Sequence, residues 1–354
     1  ELVRFLNPSA DAPPGNLRTS VSYSTDGGVT WSAAENVNVG VEPNANPLQV
    51  QRIVNLPGVQ GSANFRIKFI WSADFYYWAI DDVSIIEQPR YDMRVNPFYA
   101  FAPNAATPIS QLEPFGFIAD IENVGSQTVT ASTLTVTIQN SSNEVIYADS
   151  IHYGSIAPDS LAENVFFPDE YTPPATAGTY TGRYTLTIDD VPDEIPLNNS
   201  QEFSFVMTDS IFSKELGIGL LNYTIPSNNS YSWGNIYYIP NGEGFAANSV
   251  TFSVGNAAAL TGRNVTVLLY QWDGDTNGDD RINPAEYADA PIAFNSYEFT
   301  GMEGTNLINI PVDIDGNQVP LESNKHYFIA LQYATEDNVT MQTRGTNRLN
   351  YLAT

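Results

Sequence analysis

The chain has 354 residues, and 40 acidic side chains against 14 lysines and arginines give a formal net charge of −26, which argues against nucleic acid as a partner. The chain contains no cysteine, which excludes disulfides, thiolate metal sites and cysteine nucleophiles. Its two histidines, His152 and His326, are too few for a multi-histidine zinc site, and no apolar run is long enough to predict a transmembrane segment.

Hydrophobic residues alternate with other residues along most of the chain. Successive side chains of a strand point to opposite faces, so a period of two predicts strands that bury one face of a sheet. Clusters of Gly, Asn, Asp and Pro separate these runs at the spacing of hairpins. The sequence therefore predicts an all-β chain of tandem β-sandwich domains, with strands at 65–71, 115–121, 184–188, 203–207, 250–254, 265–269 and 327–333.

Two joints divide the predicted strands into three domains. At the first joint, in residues 85–95, Pro89 interrupts any ladder between two strands. The second joint lies in residues 206–217. We therefore predict domains at 1–90, 91–209 and 210–354. The first is short for a sandwich of about 100 residues, so we expect it to be the C-terminal part of a domain that begins upstream of Glu1.

The first predicted domain contains the hairpin sequence SYSTDGGVTWS, residues 22–32. Asp26 can hydrogen-bond to the backbone that follows it, and the two glycines accept positive φ angles. The pattern resembles the Asp-box of sialidases, in which the boxes are structural turns. An enzyme of that family also needs an arginine cluster and a tyrosine nucleophile, and neither is recognisable here.

The same domain ends in FYYWAIDDVSI, residues 75–85. Together with the hairpin, this segment resembles the MAM-like jelly rolls, including the cleaved-adhesin domains of bacterial surface proteins, over about residues 17–86. The resemblance implies a jelly-roll end with calcium near Asp81 and Asp82, although acids that tie the last strand to a loop are an equal alternative. Tyr76, Tyr77 and Trp78 could serve a carbohydrate-binding module or a buried strand.

The middle domain contains FIADIENVGSQTVTASTLTVTI and, near its end, EIPLNNSQEFSF. These segments resemble the immunoglobulin-like spacer domains of secreted bacterial proteins, which implies a role in spacing or adhesion. His152 lies in this domain, and a lone histidine near a strand edge is more often structural than catalytic.

The third domain carries DTNGDDRINPAE, residues 275–286, which has the ligand spacing of an EF-hand calcium loop. Glu286 at the end of the loop can bind with two oxygens, and Asp280 replaces the usual glycine, which is expected to weaken binding. The predicted ligands, in order, are Asp275, Asn277, Asp279, Arg281 through its carbonyl, Asn283 and Glu286.

The alternative for the end of this loop is a capped helix start, with Asn283 as N-cap, Pro284 next and Glu286 at the third position. That alternative does not account for Asp275 and Asp279. Since strands are predicted on both sides, the loop cannot act as a helix-pair sensor. We predict a structural Ca²⁺ site that restrains a long loop of a sandwich.

Three Asp-Ser pairs followed by an apolar residue resemble the acceptor sites of a periplasmic O-glycosylation system in bacteria that use type IX secretion, with common turn chemistry as the alternative. The acceptors would be Ser150, Ser160 and Ser210.

Taken together, the sequence predicts a non-catalytic, calcium-stabilised segment of a large secreted or cell-surface adhesin or stalk protein, exported by type IX secretion, with surface glycans or other surface proteins as partners. The alternatives are accessory domains of a secreted hydrolase, such as a peptidase or glycosidase, or a carbohydrate-binding module.

Overall fold

The structure is a computed structural model of the chain, and it forms two compact units, residues 1–88 and 89–354. The description that follows covers residues 2–5, 19–37, 48–49, 54, 56, 58–59, 61–71, 76–85, 87–215, 221–224, 230–278, 283–287, 290–314, 316–334 and 339–345. Nearly all regular structure in these residues is β, which confirms the predicted fold class. No helix among them is long and apolar enough to cross a membrane.

The first unit contains two three-stranded sheets, with strand orders β4-β1-β6 and β3-β2-β5. The predicted strand at 65–71 is present as β5, but Phe69 and Trp71 remain 39% and 43% exposed. β5 is the edge strand of its sheet, so its side chains are covered on one side only. The six strands are β1 Leu2–Phe5, β2 Thr19–Ser24, β3 Glu35–Asn36, β4 Leu48–Gln49, β5 Arg66–Trp71 and β6 Tyr76–Ala79.

The second unit begins with a sandwich of a five-stranded sheet, ordered β11-β10-β13-β14-β8, and a three-stranded sheet, ordered β12-β9-β7. We call it the middle sandwich. Both sheets contribute inward side chains to one core, which includes Phe117, Ile121, Tyr184 and Phe203. Its strands are β7 Met93–Tyr99, β8 Ala106–Pro108, β9 Ile118–Asn123, β10 Ser132–Gln139, β11 Val145–Tyr153, β12 Ser160–Phe166, β13 Gly178–Ile188 and β14 Ser200–Thr208, and a 3₁₀ turn spans Pro196–Asn198.

The pairing of one edge strand and the hydrogen bonds of one turn stabilise the middle sandwich. The strand β14 pairs antiparallel with β13 and in parallel with the short strand β8, which forms one edge of the five-stranded sheet. In the ENVGS turn, the buried Asn123 side chain donates to the carbonyls of Gln127 and Ile156 and accepts from the backbone N–H of Gly125. Gly125 has no room for a side chain, because an added Cβ would lie 2.7 Å from the carbonyl oxygen of Arg90.

The remainder of the second unit forms the C-terminal sandwich, built on a four-stranded sheet ordered β16-β24-β19-β20. One face of this sheet packs on a core with Val265, Val267, Leu331 and Tyr333. Its strands are β15 Leu221–Tyr223, β16 Tyr231–Ile239, β17 Ala246–Ala247, β18 Ser249–Phe252, β19 Asn264–Trp272, β20 Ala293–Glu298, β21 Ile308–Pro311, β22 Asp313–Ile314, β23 Asn317–Pro320, β24 Lys325–Tyr333 and β25 Thr343–Gly345, with 3₁₀ turns at Ala257–Leu260 and Pro284–Glu286.

Specific contacts join the middle and C-terminal sandwiches. The buried side chain of Gln111 donates to the carbonyl of Asn241 at 2.6 Å and accepts from its N–H at 3.1 Å. Ser213, beyond the end of β14, forms an antiparallel bridge with Ala106. The second predicted joint therefore lies in a segment that packs against the preceding sandwich, while the division into three domains stays a prediction.

Candidate functional site

The predicted calcium loop leaves the end of β19 at Trp272. Gly274 and Gly278 hold φ angles of +95° and +72°, conformations that L side chains rarely adopt, and they turn the chain out of the strand. The Asp275 carboxylate accepts a hydrogen bond from the N–H of Gly278 at 2.7 Å. This short turn folds the first half of the loop back on itself.

Glu286 is the centre of the hydrogen-bonded structure in this loop. Its side chain is 1% exposed, although the loop lies at the surface. Oε1 accepts from the N–H of Thr276 at 3.0 Å, and Oε2 accepts from the N–H of Asn283 at 2.9 Å and from the indole of Trp272 at 3.3 Å. The carboxylate therefore joins the beginning of the loop, its end and the last residue of β19.

The described part of the loop contains four of the six predicted calcium ligands, Asp275, Asn277, Asn283 and Glu286. The Asn283 N–H donates to the Glu286 carboxylate, whereas the Asp275 carboxylate accepts from the N–H of Gly278, so two of the predicted ligands lie in one hydrogen-bonded cluster. A carboxylate has about four lone-pair sites, and three N–H donors leave one of them for a metal. Asn277 is exposed, and Asp279 and Arg281 lie outside the described residues, so the complete ligand set stays a prediction.

The end of the loop also has the geometry of a capped helix start. Glu286 N–H donates to the Asn283 carbonyl at 2.9 Å, while the Asn283 N–H donates to the Glu286 side chain. A single 3₁₀ turn, Pro284–Glu286, follows the cap. The flanking elements are the strands β19 and β20, which is the arrangement expected for a loop inserted between strands.

In the first unit, the Asp-box sequence forms the expected tight hairpin. The Asp26 carboxylate accepts from the Thr30 hydroxyl at 2.6 Å, from the Ser24 hydroxyl at 2.7 Å and from the N–H of Val29. The hydrogen bonds from Thr30 and then Ser24 hold the pKa of Asp26 far below its ordinary value. Every acceptor position of this carboxylate therefore serves the turn.

The other predicted site residues in the first unit lie in and just after β6. Asp81 and Asp82 are exposed, and the Asp82 N–H donates to Asp81 Oδ1 at 2.9 Å. Trp78 is half-buried, with its ring centroid 6.0 Å from that of Phe69. The side chains of Tyr76 and Tyr77 lie outside the described residues.

The three candidate glycosylation serines lie in the middle sandwich and just beyond it. Ser150 on β11 and Ser210 after β14 are exposed. Ser160 at the start of β12 is half-buried, and its hydroxyl donates weakly to the Pro158 carbonyl at 3.4 Å. Ser150 and Ser210 are therefore sterically open to modification.

The two histidines lie far apart in different sandwiches. His152 projects from the edge strand β11, 80% exposed, with Nδ1 at 2.9 Å from the Thr133 hydroxyl and 3.8 Å from Asp189 Oδ2. His326 is in β24 and faces a cavity between the two sandwiches of the second unit. In the described residues, no group of three or more His, Asp or Glu side chains has the geometry of a metal site.

This inter-sandwich cavity, of about 430 Å³, was missed by sequence reasoning. Its walls come from segments more than a hundred residues apart, so no local motif marks it. The residues that carry its chemistry are Asn104 and Glu113 from the middle sandwich, Lys214 from the joint, and Tyr238, Trp272 and His326 from the C-terminal sandwich.

The electrostatics of the cavity follow from burial. Burial lowers the pKa of the Lys214 ammonium to about 8 and raises the pKa of the Glu113 carboxyl. Burial, and then the charge of Lys214, lower the pKa of His326. Lys214 and His326 are thus half-buried in the cavity wall, whereas Glu113 is an exposed residue of the same wall.

No known family profile matches the chain, and no curated protein is similar to it. Among solved structures, the CARDB domain of a Pyrococcus furiosus protein in complex with di-metal ions shares 16% identity, with 37% of this chain and 100% of that chain covered and a TM-score of 0.25. A structure of carbohydrate-binding modules from the β-sandwich superfamily shares 9% identity, over 72% of this chain and 97% of that chain, with a TM-score of 0.18. TM-scores this low establish neither a shared ligand nor a shared function.

Proposed function

We propose that this chain is a non-catalytic, calcium-stabilised segment of a large secreted or cell-surface protein, an adhesin or stalk. The observation that carries the proposal is the buried Glu286 carboxylate at the end of an EF-hand-spaced loop that lies between two strands. A cation at this position would link the start of the loop to its end, as a disulfide would in a chain that has cysteines. A loop pinned in this way suits an extracellular module, a class whose Kd for calcium is about 10⁻⁴–10⁻³ M.

The surrounding architecture supports a role in spacing and contact. An immunoglobulin-like sandwich is joined to a second sandwich by the pair of Gln111–Asn241 hydrogen bonds, which favours a stiff arm within the second unit. A net charge of −26 keeps such a surface soluble and attractive to cations. Surface glycans and other surface proteins are the proposed partners, and the proposed location is extracellular.

Export by type IX secretion and O-glycosylation at Ser150, Ser160 and Ser210 are part of the same proposal. The exposure of Ser150 and Ser210 supports it. The second candidate function, an accessory arm of a secreted hydrolase, would use the same scaffold beside a catalytic domain outside this sequence.

Mass-spectrometric peptide mapping of the native polypeptide tests these two functions against each other. Peptides that continue into further sandwiches and a small terminal sorting domain support the adhesin or stalk, and glycopeptides at the three serines support the export route. Peptides that continue into a catalytic domain would overturn the stalk function in favour of the hydrolase arm.

A further inference from the structure

We propose that the inter-sandwich cavity of the second unit is a binding site for a single saccharide unit, held by hydroxyl hydrogen bonds to Lys214 and Glu113 and by packing on Tyr238 and Trp272. The inference deepens the proposed surface function, on which it rests for the source of the saccharide. The site touches the calcium loop at Trp272, whose indole donates to Glu286.

The cavity has the size and composition of a ligand site. Its volume of about 430 Å³ lies within the range of about 300–1,000 Å³ that is usual for ligand pockets. Apolar side chains form much of the wall, and a few polar groups converge on it. The Gln111–Asn241 hydrogen bonds hold the two walls in register, so the cavity is formed before a ligand arrives.

The two charged side chains of the cavity lack charged partners in the described part of the chain. The Lys214 ammonium donates to the Pro103 carbonyl at 3.2 Å and lies 5.6 Å from the ring centroid of Tyr237, and no carboxylate of the described residues forms an ion pair with it. The Glu113 carboxyl accepts no hydrogen bond from the described residues, and it forms no ion pair with Lys214. An ammonium and a carboxyl in one cavity both gain from partners that a ligand supplies.

A third polar group of the cavity lacks a hydrogen-bond partner among the described residues. The Oδ1 atom of Asn104 is buried and has no hydrogen-bond partner among the described residues. The Asn104 amide nitrogen donates to the Thr107 hydroxyl at 3.4 Å, a distance at which a hydrogen bond is weak, so the amide can turn toward a ligand.

The opposite wall is a row of rings across three neighbouring strands. Tyr238 on β16 and Trp272 on β19 both lie directly opposite His326 on β24, and all three side chains share the outer face of the sheet. The His326 ring centroid is 4.7 Å from that of Tyr238 and 5.7 Å from that of Trp272. The rings thus form a continuous apolar surface beside the polar groups.

A saccharide has groups that can bind to the polar wall and to the aromatic wall of the cavity at the same time. Each hydroxyl both donates and accepts, so adjacent hydroxyls can bond a carboxylate and an ammonium together. The C–H face of the sugar ring buries apolar area on the aromatic row. A simple anion would satisfy Lys214 only and would be repelled by Glu113.

The test is calorimetric titration of the 1–354 chain, in calcium-containing buffer, with the methyl glycosides of glucose, galactose, N-acetylglucosamine and glucuronic acid, and with L-phenylalanine. We expect saturable binding of at least one glycoside. A preference for the glucuronide would show that Lys214 contacts a carboxylate, and equal binding of a neutral sugar would show that it contacts a hydroxyl. No saturation by any glycoside, or saturation by L-phenylalanine alone, would overturn the inference.

Variants locate the binding in the cavity. Lys214→Met and Tyr238→Ala should each weaken binding about tenfold or more, because each removes a direct ligand contact. Lys325→Met is the matched control, since this lysine lies beside His326 on β24 but outside the cavity, and it should bind like the wild type. Unchanged binding by a folded Tyr238→Ala variant would contradict the proposal even where Lys214→Met fails to fold. Because calcium-dependent melting tests the proposed function separately, either result can fail alone.

Discussion

The Glu286 carboxylate accepts a hydrogen bond from the backbone N–H of Thr276, ten residues earlier in the chain, at 3.0 Å. The same carboxylate accepts from Asn283 and Trp272. One buried side chain thus closes the loop between β19 and β20, with or without a metal ion. In the proposed function, calcium adds a further link between the beginning and the end of a loop that Glu286 already joins.

Glu286→Gln should therefore destabilise the protein even in the presence of a chelator. The amide nitrogen cannot accept, so at least one of the three N–H donors loses its partner. We expect a loss of about 1–3 kcal/mol of unfolding free energy, measured by urea denaturation. Glu298→Gln, at an exposed position of β20, should change the free energy by less than about 0.5 kcal/mol. Equal effects of the two variants would show that the hydrogen bonds of Glu286 do not stabilise the loop.

The hairpin of the first unit makes a prediction about acid titration. Hydrogen bonds from Thr30 and Ser24 hold the pKa of Asp26 well below the ordinary 3.8. Since the folded pKa is depressed, these bonds stabilise the hairpin above the unfolded pKa, and that contribution is lost as the pH falls toward the folded pKa. In a carbon-detected NMR titration, the Asp26 carboxyl should still be ionised at about pH 3. Titration near 3.8 would show that the hydrogen bonds are absent in solution.

The lowered pKa of Lys214 predicts how the unfolding free energy changes at alkaline pH. Its folded pKa is about 8, whereas an unfolded lysine titrates near about 10.4. Between these values the unfolded chain binds more protons, so the contribution of Lys214 to unfolding free energy rises with pH over this window. Glu113, Glu215, His326 and Tyr237 lie around the same group, and tyrosines with raised pKa values act in the opposite direction.

The effect of Lys214 is therefore measured as the difference in unfolding free energy between the wild type and a variant that lacks the ammonium. Unfolding free energies of the wild type and Lys214→Met are compared from about pH 7 to pH 10.5. The wild type should gain stability relative to the variant as the pH rises. A constant difference across the range would show that the ammonium is not desolvated.

The core of the middle sandwich is tested by Gly182→Ala. A Cβ at this position on β13 would lie 2.1 Å from Cζ of Phe203, which is enclosed in the core. We expect a loss of about 1–3 kcal/mol from overpacking. Gly154→Ala is the matched control, because nothing lies within 4 Å of the added Cβ and its φ is not positive. Thermal unfolding of both variants gives the comparison, and equal melting temperatures would contradict the packing of Phe203 on β13.

The alternation of side chains predicted seven strands, and the structure has a strand at each of these positions, namely β5, β9, β13, β14, β18, β19 and β24. Val265, Val267 and Leu269 all lie in the core of the C-terminal sandwich, as a period of two requires. Alternation did not predict the second apolar face of the same sheet, where Leu268 and Phe328 are also buried. A strand covered on both faces has a continuous apolar run, and its period carries less information.

Of the two candidate sites, one has a local sequence pattern and the other has none. A calcium loop could be proposed from sequence because its predicted ligands follow one another within twelve residues, at the spacing of a known loop, and calcium binding there stays a prediction. The inter-sandwich cavity was not predicted, because Glu113, Lys214 and His326 are distant in sequence and only the packing of two sandwiches brings them together. Single titratable residues in three distant segments carry no local pattern.

The most direct test of the calcium account is differential scanning calorimetry of the wild type and Asp275→Ala, each in about 1 mM calcium and in chelator. With a Kd of about 10⁻⁴–10⁻³ M, this calcium concentration is about one to ten times Kd, and binding to the folded state adds about 0.4–1.4 kcal/mol of stability. The account predicts a higher melting temperature with calcium for the wild type and no difference between the two conditions for Asp275→Ala. A wild type that melts at the same temperature in both buffers, or a variant that keeps the full shift, would contradict it.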